Sequence, residues 1–446
     1  MSTPVKDPDV PGPELKRAAQ FSAIASAIEW YDLALYGQAA ALVFGQLFFP
    51  KLSPVAGTLA AFGTFALGFG ARPLGAIIFG HLGDKVGRKP ILIVTLLLMG
   101  LSSGVIGLLP TYGTIGIAAP VLLVVFRIFE GLGVGAEYAG AVTLVAEHAP
   151  PRKRGLWASI PAAGVFIGIG LAAAATAIVS SLPKEALMSW GWRLPFLVSF
   201  AAAIGSLLIT RKMAESDTFN KIKGEQHGRI PLKEAFARQP GRLLLGIGAN
   251  LPLAFNIYIA QTYVLAYLKG IGVASTAGLT GLLIAAGGAG LTIPLAGWMA
   301  DRYGRKPVYL GAAAFSAIMS YPFFWMLDTR NTVLICVGMF LLFSVALCMM
   351  FGSQGAMFAE IYEPHVRYTA IGVAREFPAA ALGAPAPVIA TLLVSAMGGS
   401  PSLVSLLMLV VSLICFGSVA ALPETRPALS ASLLAQGGRR RHLIGD

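Results

Sequence analysis

The chain has 446 residues, of which 56% are hydrophobic and only 12% charged, with a formal net charge of +12. Soluble domains carry about 25% charged residues, so this composition excludes a soluble enzyme, a disordered chain and a disulfide-rich secreted scaffold. The mean hydropathy of +0.74 describes a polytopic membrane protein instead. Cys336, Cys348 and Cys415 sit inside apolar runs, without metal-ligand or disulfide spacing.

A membrane-spanning helix needs about 20 mostly apolar residues. Twelve such runs follow in chain order, at 18–48, 54–81, 90–109, 114–147, 155–182, 190–211, 241–268, 275–300, 307–327, 331–358, 367–396 and 401–422. They are rich in Gly and Pro, which membrane helices tolerate. Residues 1–17 are polar with four prolines, and the first apolar run exceeds a signal-peptide core, so no cleavable signal is expected.

Twelve spans put both termini on one side of the membrane. Of the 33 Lys and Arg residues, 25 fall on that side, 4 on the other (Lys51, Lys184, Lys269 and Arg330), and Arg72, Arg127, Arg193 and Arg375 lie within spans. The positive-inside rule then predicts cytoplasmic termini and a cytoplasmic 212–240 loop.

The chain also repeats. Gly80-His-Leu-Gly-Asp84-Lys-Val-Gly87-Arg88-Lys-Pro90 follows the second span and Gly297-Trp-Met-Ala-Asp301-Arg-Tyr-Gly304-Arg305-Lys-Pro307 the eighth, with six of eleven positions identical at an offset of 217. A weaker echo matches Glu147, Pro151 and Arg154 to Glu360, Pro364 and Arg367. The expected architecture is all-α: a cytoplasmic segment 1–17, a six-helix half 18–211, a cytoplasmic linker 212–240, a second six-helix half 241–422 and a basic cytoplasmic tail 423–446. Such repeats in secondary transporters place a solute site near the midplane, between halves that rock against each other. Gly80 and Gly297 permit close helix approach. Asp84 and Asp301 can accept hydrogen bonds from a neighbouring helix N-terminus or pair with a basic residue in one access state. Gly87, Arg88, Gly304 and Arg305 complete this gating set, although the same charges also act as topology signals.

This doubled G-x-x-x-D-[RK]-x-G-R-[RK] loop resembles the signature of the major facilitator superfamily. A narrower resemblance rests on Glu29-Trp-Tyr-Asp32, Arg72-Pro-Leu-Gly75, Arg127-Ile-Phe-Glu130-Gly-Leu-Gly-Val-Gly-Ala-Glu137-Tyr-Ala-Gly140, Arg152-Lys-Arg-Gly155 and Trp190-Gly-Trp-Arg-Leu-Pro-Phe196. These look like the metabolite:proton symporter family, which includes proline/betaine, α-ketoglutarate, shikimate and citrate transporters. The resemblance covers about 20–215 closely and continues more loosely through Val366-Arg367-Tyr368-Thr369 and Pro387-Val-Ile-Ala-Thr391. It implies a multi-pass, proton-coupled importer of the bacterial inner membrane.

Ionisable residues inside a span are costly and are functional candidates by default. Glu29 and Asp32 are three apart on one helix face, continued by Tyr36. Glu29 lies eleven residues into its run, about 16 Å deep at about 1.5 Å per residue. Two carboxylates on one face in low dielectric favour holding a proton; the alternative is a structural pair bonded to basic neighbours. Arg127, Glu130 and Glu137 share a face of span four and resemble the superfamily's proton-coupling arginine motif, with a static Arg127–Glu130 pair as the alternative. Arg72 lies near the midplane, where its planar fork suits a substrate carboxylate or serves as counter-ion to Glu29 or Asp32. Arg193, between Trp190 and Trp192, reads as an interfacial anchor.

In span seven, Asn250 and Gln261 share a face, with Tyr258 beside them; they bond either a polar solute or adjacent helices. Gln354 occupies the span-ten position that matches Glu137. Arg375 and Glu376 form a local pair or offer a second carboxylate-binding arginine.

The expected function is proton-coupled uptake of a small polar metabolite, an organic acid, by alternating access. Symport of a zwitterionic osmolyte and proton-driven efflux are the alternatives. Expected partners are the solute, protons and the lipid bilayer, with no cofactor, metal or nucleic acid, and the chain is expected to work as a monomer. No enzyme motif is present, and residues 424–446 lack the heptads of an osmosensing coiled coil.

Overall fold

The computed structural model describes residues 13–86, 88–134, 145–146, 149–212, 239–363 and 366–426. Among them the chain is helical, with no β-strand. Helix stands at each of the twelve apolar runs. In order these are α1 (Pro13–Ala39), α2 (Pro54–Val86), α3 (Arg88–Leu108), α4 (Ala118–Val134), α5 (Ile160–Ser180, entered through Arg154–Ala158) and α6 (Leu194–Lys212). The second set is α7 (Pro240–Tyr258, carried on by Val264–Gly270), α8 (Ser275–Tyr303), α9 (Arg305–Asp328), α10 (Thr332–Met339, carried on by Cys348–Ile361), α11 (Arg367–Pro378, carried on by Ala386–Ala396) and α12 (Ser402–Ala421).

Eight helices among the described residues are long and apolar enough to cross a membrane, built on α2, α5 and α7–α12. The other four fall short of that measure. For α1 the charges Glu14, Lys16, Arg17, Glu29 and Asp32 lower the apolarity, and α4 is described over only 17 residues. The expected linker 212–240 and the tail beyond Arg426 lie almost wholly outside the described residues.

Within the first set, α1 packs on α5, α2 on α4, and α6 on both α1 and α3. Within the second, α8 packs on α10, α7 on α11, and α12 on both α7 and α9. The sets meet along a seam where α5 lies against α8, and α2 and α1 touch the α11 and α7 segments. Gly297 makes the α5–α8 approach possible: a Cβ there would stand 2.7 Å from the Gly155 carbonyl oxygen. Only a missing side chain allows the backbones so near.

Among the described residues, four π-helical turns interrupt the α-helices, at Ala40–Phe44, Ile259–Tyr263, Phe340–Leu347 and Ala379–Gly383. Such turns leave backbone carbonyls without their usual partner and occur often at functional sites. At the first, the Leu42 carbonyl accepts from Lys269 Nζ at 2.7 Å, a bond from one set of helices to the other.

Candidate functional site

Among the described residues, two clusters of charge lie inside the bundle, and α1 contributes to both. The first sits on the seam. Arg72 of α2 is 6% exposed, with Glu29 of α1 at 3.7 Å and Glu376 of α11 at 3.8 Å. Both separations exceed hydrogen-bond length, so the guanidinium donates no hydrogen bond to a described residue. It instead lies over the Phe69 ring, 4.1 Å from its centroid, a contact that offsets part of its desolvation. Tyr258 of α7 adjoins this cluster, meeting the Phe69 ring over which Arg72 lies. Trp30 stacks near it at 6.5 Å, and Phe65 and Phe69 meet its ring edge-on.

A buried guanidinium without a hydrogen bond to a described residue is costly to hold. Two carboxylates at 3.7–3.8 Å compensate its charge without using its fork geometry. A third carboxylate, entering the seam, finds bidentate donors available.

The second cluster is inside the first set of helices. Asp32 Oδ1 accepts from the hydroxyls of Ser103 on α3 and Ser199 on α6, the latter at 2.8 Å. Glu130 of α4 is buried near Asp32, while Asp32 Oδ2 receives no N–H or O–H donor from a described residue. Arg127 donates to Glu130 and lies over the Tyr36 ring at 4.1 Å. Gly68 leaves the room for that arginine, since a Cβ there would stand 2.7 Å from its side chain. Two buried acids, Asp32 and Glu130, thus accompany one buried guanidinium in this cluster, and buried charge is costly unless it is balanced.

Glu29 and Asp32, expected on one face, thus take different partners: Glu29 looks to the seam and Asp32 into the bundle. Tyr36 is likewise in the bundle, hydrogen-bonded to Thr64 at 2.6 Å, rather than on the seam. Asn250 donates to the Arg375 carbonyl at 3.4 Å and accepts from Gln354 at 2.9 Å. The Arg375 guanidinium lies over Phe351 at 5.1 Å. Gln261 is fully buried, and neither amide atom meets a described hydrogen-bond partner. Arg193 stacks on Trp192 at 4.4 Å. Glu137 and Gly87 lie outside the described residues, and Gly80, Asp84 and Arg88 are helical but their side chains are not described.

At the end of the seam where α8 meets the start of α5, Asp301 accepts from the backbone N–H groups of Gly155 and Leu156 at 2.8 and 2.9 Å and from Arg305 at 2.7 Å. A carboxylate at exposed helix N–H groups is a favourable pairing. Arg305 and Arg154 both reach Glu360, and Gly304, at φ +116, turns the chain between α8 and α9. Together with Lys269–Leu42 at the opposite end, these bonds tie the two sets of helices at both ends of the seam.

Sequence reasoning missed Ser103, Ser199 and the Arg72–Glu376 pairing. Serine carries little hydropathy signal, and a cross-seam partner shows no sequence spacing.

The model of the Major Facilitator Superfamily matches residues 19–375 and 274–444. The chain is 37% identical over 390 residues to the Shikimate transporter of Escherichia coli (strain K12), covering 86% of this chain and 89% of that one. It is 32% identical over 373 residues to the Proline/betaine transporter of the same strain, covering 81% and 74%. Its fold matches the partially occluded inward-open conformation of the xylose transporter XylE from E. coli with a TM-score of 0.71 at 18% identity, covering 93% of this chain and 99% of that one.

Proposed function

The chain belongs to the Major Facilitator Superfamily, a family of membrane transporters and not of enzymes, and on that premise we propose that it is a proton-coupled symporter that takes up a small carboxylated metabolite across the bacterial inner membrane. Both termini lie in the cytoplasm in this reading, as the 25 to 4 distribution of Lys and Arg requires. The twelve helices form two six-helix halves that alternate access around the seam.

The observation that carries the reading is Arg72, buried between the halves with its carboxylate neighbours at 3.7 and 3.8 Å, beyond hydrogen-bond length. The solute carboxylate binds there bidentately, with Tyr258 and Arg375 alongside. The proton rides on the Asp32 and Glu130 pair. Arg127 keeps its own proton and acts by pairing with Glu130, so that closer pairing expels the shared proton. Glu29 and Asp32 stand one helical turn apart on α1, which links movement at the solute site to the proton site.

A zwitterionic osmolyte is the second reading. Its cationic end would meet Glu29 and Glu376 and the faces of Trp30 and Tyr258, an arrangement that suits a quaternary ammonium.

Uptake of labelled shikimate and of glycine betaine into proteoliposomes under an imposed inward proton gradient tests these readings. Accumulation of the carboxylate that collapses with a protonophore supports the first, and accumulation of betaine alone supports the second. Proton-driven efflux would overturn both.

A further inference from the structure

The pair of serine partners around Asp32 recurs in the second half, with the direction of the hydrogen bonds reversed. Asp32 on α1 is gripped by Ser103 of α3 and Ser199 of α6. On α7, Asn256 donates to Ser316 of α9 at 3.1 Å and to Ser412 of α12 at 3.2 Å, and the two serines are 3.0 Å apart. Ser103 and Ser316 are separated by 213 positions, and so are Ser199 and Ser412. The helices correspond too, because α6 packs on α1 and α3 as α12 packs on α7 and α9. The heights match as well: where α1 crosses α7, Gly37 abuts Thr262 at an offset of 225, and Asp32 to Asn256 is 224.

Both central side chains are buried, Asp32 at 2% and Asn256 at 0% exposure. Each also leaves one oxygen without a described donor, Asp32 Oδ2 and Asn256 Oδ1. The surroundings then diverge. Asp32 faces Glu130 and Arg127 of α4, with Tyr31 and Tyr36 on its own helix. The corresponding helix α10 carries no Asp, Glu, Lys, Arg or His from Thr332 to Ala359, and α12 carries none at all. On α7 and α9 the charged residues, Arg242, Lys269, Arg305, Lys306 and Asp328, are all at the helix ends.

We propose that these two serine clasps are a working and a silent copy of one proton-binding site, in which Ser103 and Ser199 position the Asp32 carboxyl and an amide at Asn256 has removed the proton from the second half. The inference rests on the proton-coupled reading above for its function, but its structural content does not need a substrate. The amide and the acid are nearly isosteric, and Asn256 shows that the clasp closes around a group that cannot ionise. Asp32→Asn therefore preserves packing while removing the proton. Conversely, a carboxyl at Asn256 would lie among mid-span residues of α7, α9, α10 and α12 that carry no charge, with Arg375 of α11 placed over Phe351, and desolvation favours its protonated form. With Oδ1 accepting from the serines, the proton sits on Oδ2, the oxygen that lacks a donor.

Infrared spectroscopy of the purified, substrate-free protein tests this through the C=O stretch of protonated carboxyl groups. Asp32→Asn loses one such band, Asn256→Asp gains a band of similar intensity, and Ser199→Ala moves the Asp32 band to higher frequency, because its carbonyl loses a hydrogen bond. Ser316→Ala moves the added band of the Asn256→Asp protein in the same direction. An unchanged band in Asp32→Asn, in protein that still elutes as a single folded species, overturns the proposal. So does a band insensitive to Ser199→Ala, a variant that keeps the carboxyl and covers the case of an Asp32 variant that does not fold. These outcomes are independent of uptake, so a chain that holds the proton but fails to couple it would contradict the symport reading alone.

Discussion

Arg72 and Glu376 face each other across the seam at 3.8 Å, one on α2 and the other on α11. In the proposed reading, a substrate carboxylate would compete with this glutamate for the same guanidinium. Its side chain is 33% exposed, against 7% for Arg72, so it is the partner free to leave. Glu29, at 6% side-chain exposure, is the partner that stays.

Replacing Glu376 by Gln removes the competing charge and keeps the shape. Carboxylate affinity should rise several-fold, and cysteines placed on α2 and α11 should cross-link more slowly without ligand. Titration of shikimate against protein fluorescence measures the first and cross-linking rates the second. Unchanged values in both would mean that Glu376 neither competes with a ligand nor holds the seam.

Arg72→Lys retains the positive charge and loses the fork. Charged hydrogen bonds are worth about 1.5–3 kcal/mol each, so affinity for a carboxylate should fall about ten- to a hundred-fold. Equal affinity would reduce Arg72 to a counter-ion for Glu29.

The two ends of the seam should respond in opposite senses. Asp301→Asn weakens the charge-assisted bonds to Gly155, Leu156 and Arg305, and Lys269→Met cuts the bond to the Leu42 carbonyl. The first should raise thiol labelling of a seam cysteine from the side of the termini, the second from the opposite side, each while solute binding persists. Asp84→Asn and Arg88→Ala, in the first copy of the loop, should slow transport in the same way without abolishing binding. Labelling that changes equally from both sides would indicate general loosening in place of gating.

Much of this arrangement was legible in the sequence, for identifiable reasons. A charge inside an apolar run is conspicuous, so Glu29, Asp32, Arg72, Arg127 and Glu130 stood out, and the doubled loop marked Asp301 and Arg305. The wheel that placed Glu29, Asp32 and Tyr36 on one face could not tell where that face divides between seam and bundle, because the division depends on which neighbours lie on either side of α1. Ser103 and Ser199 became visible only through tertiary contact, although their spacing from Ser316 and Ser412 is a repeat signal that aligning the two halves would reveal. The pairing of Glu376 with Arg72 joins residues 304 positions apart and has no local signature.

Glu29→Gln and Asp32→Asn should separate binding from coupling. Glu29 serves Arg72 on the seam, so its neutralisation should alter solute affinity and leave the proton requirement in place. Affinity and energisation measured on the same preparations check this, and a Glu29→Gln protein that binds normally but no longer responds to the proton gradient would reverse the assignment.

The central claim is that the Asp32 and Glu130 pair carries the coupling proton. Its most direct measurement compares, in proteoliposomes holding Asp32→Asn, accumulation of the carboxylate that the wild type concentrates fastest with exchange of labelled for unlabelled solute at zero gradient. The account predicts that exchange persists near the wild-type rate while accumulation under an imposed proton-motive force is lost. An Asp32→Asn protein that still concentrates its solute when energised would contradict it.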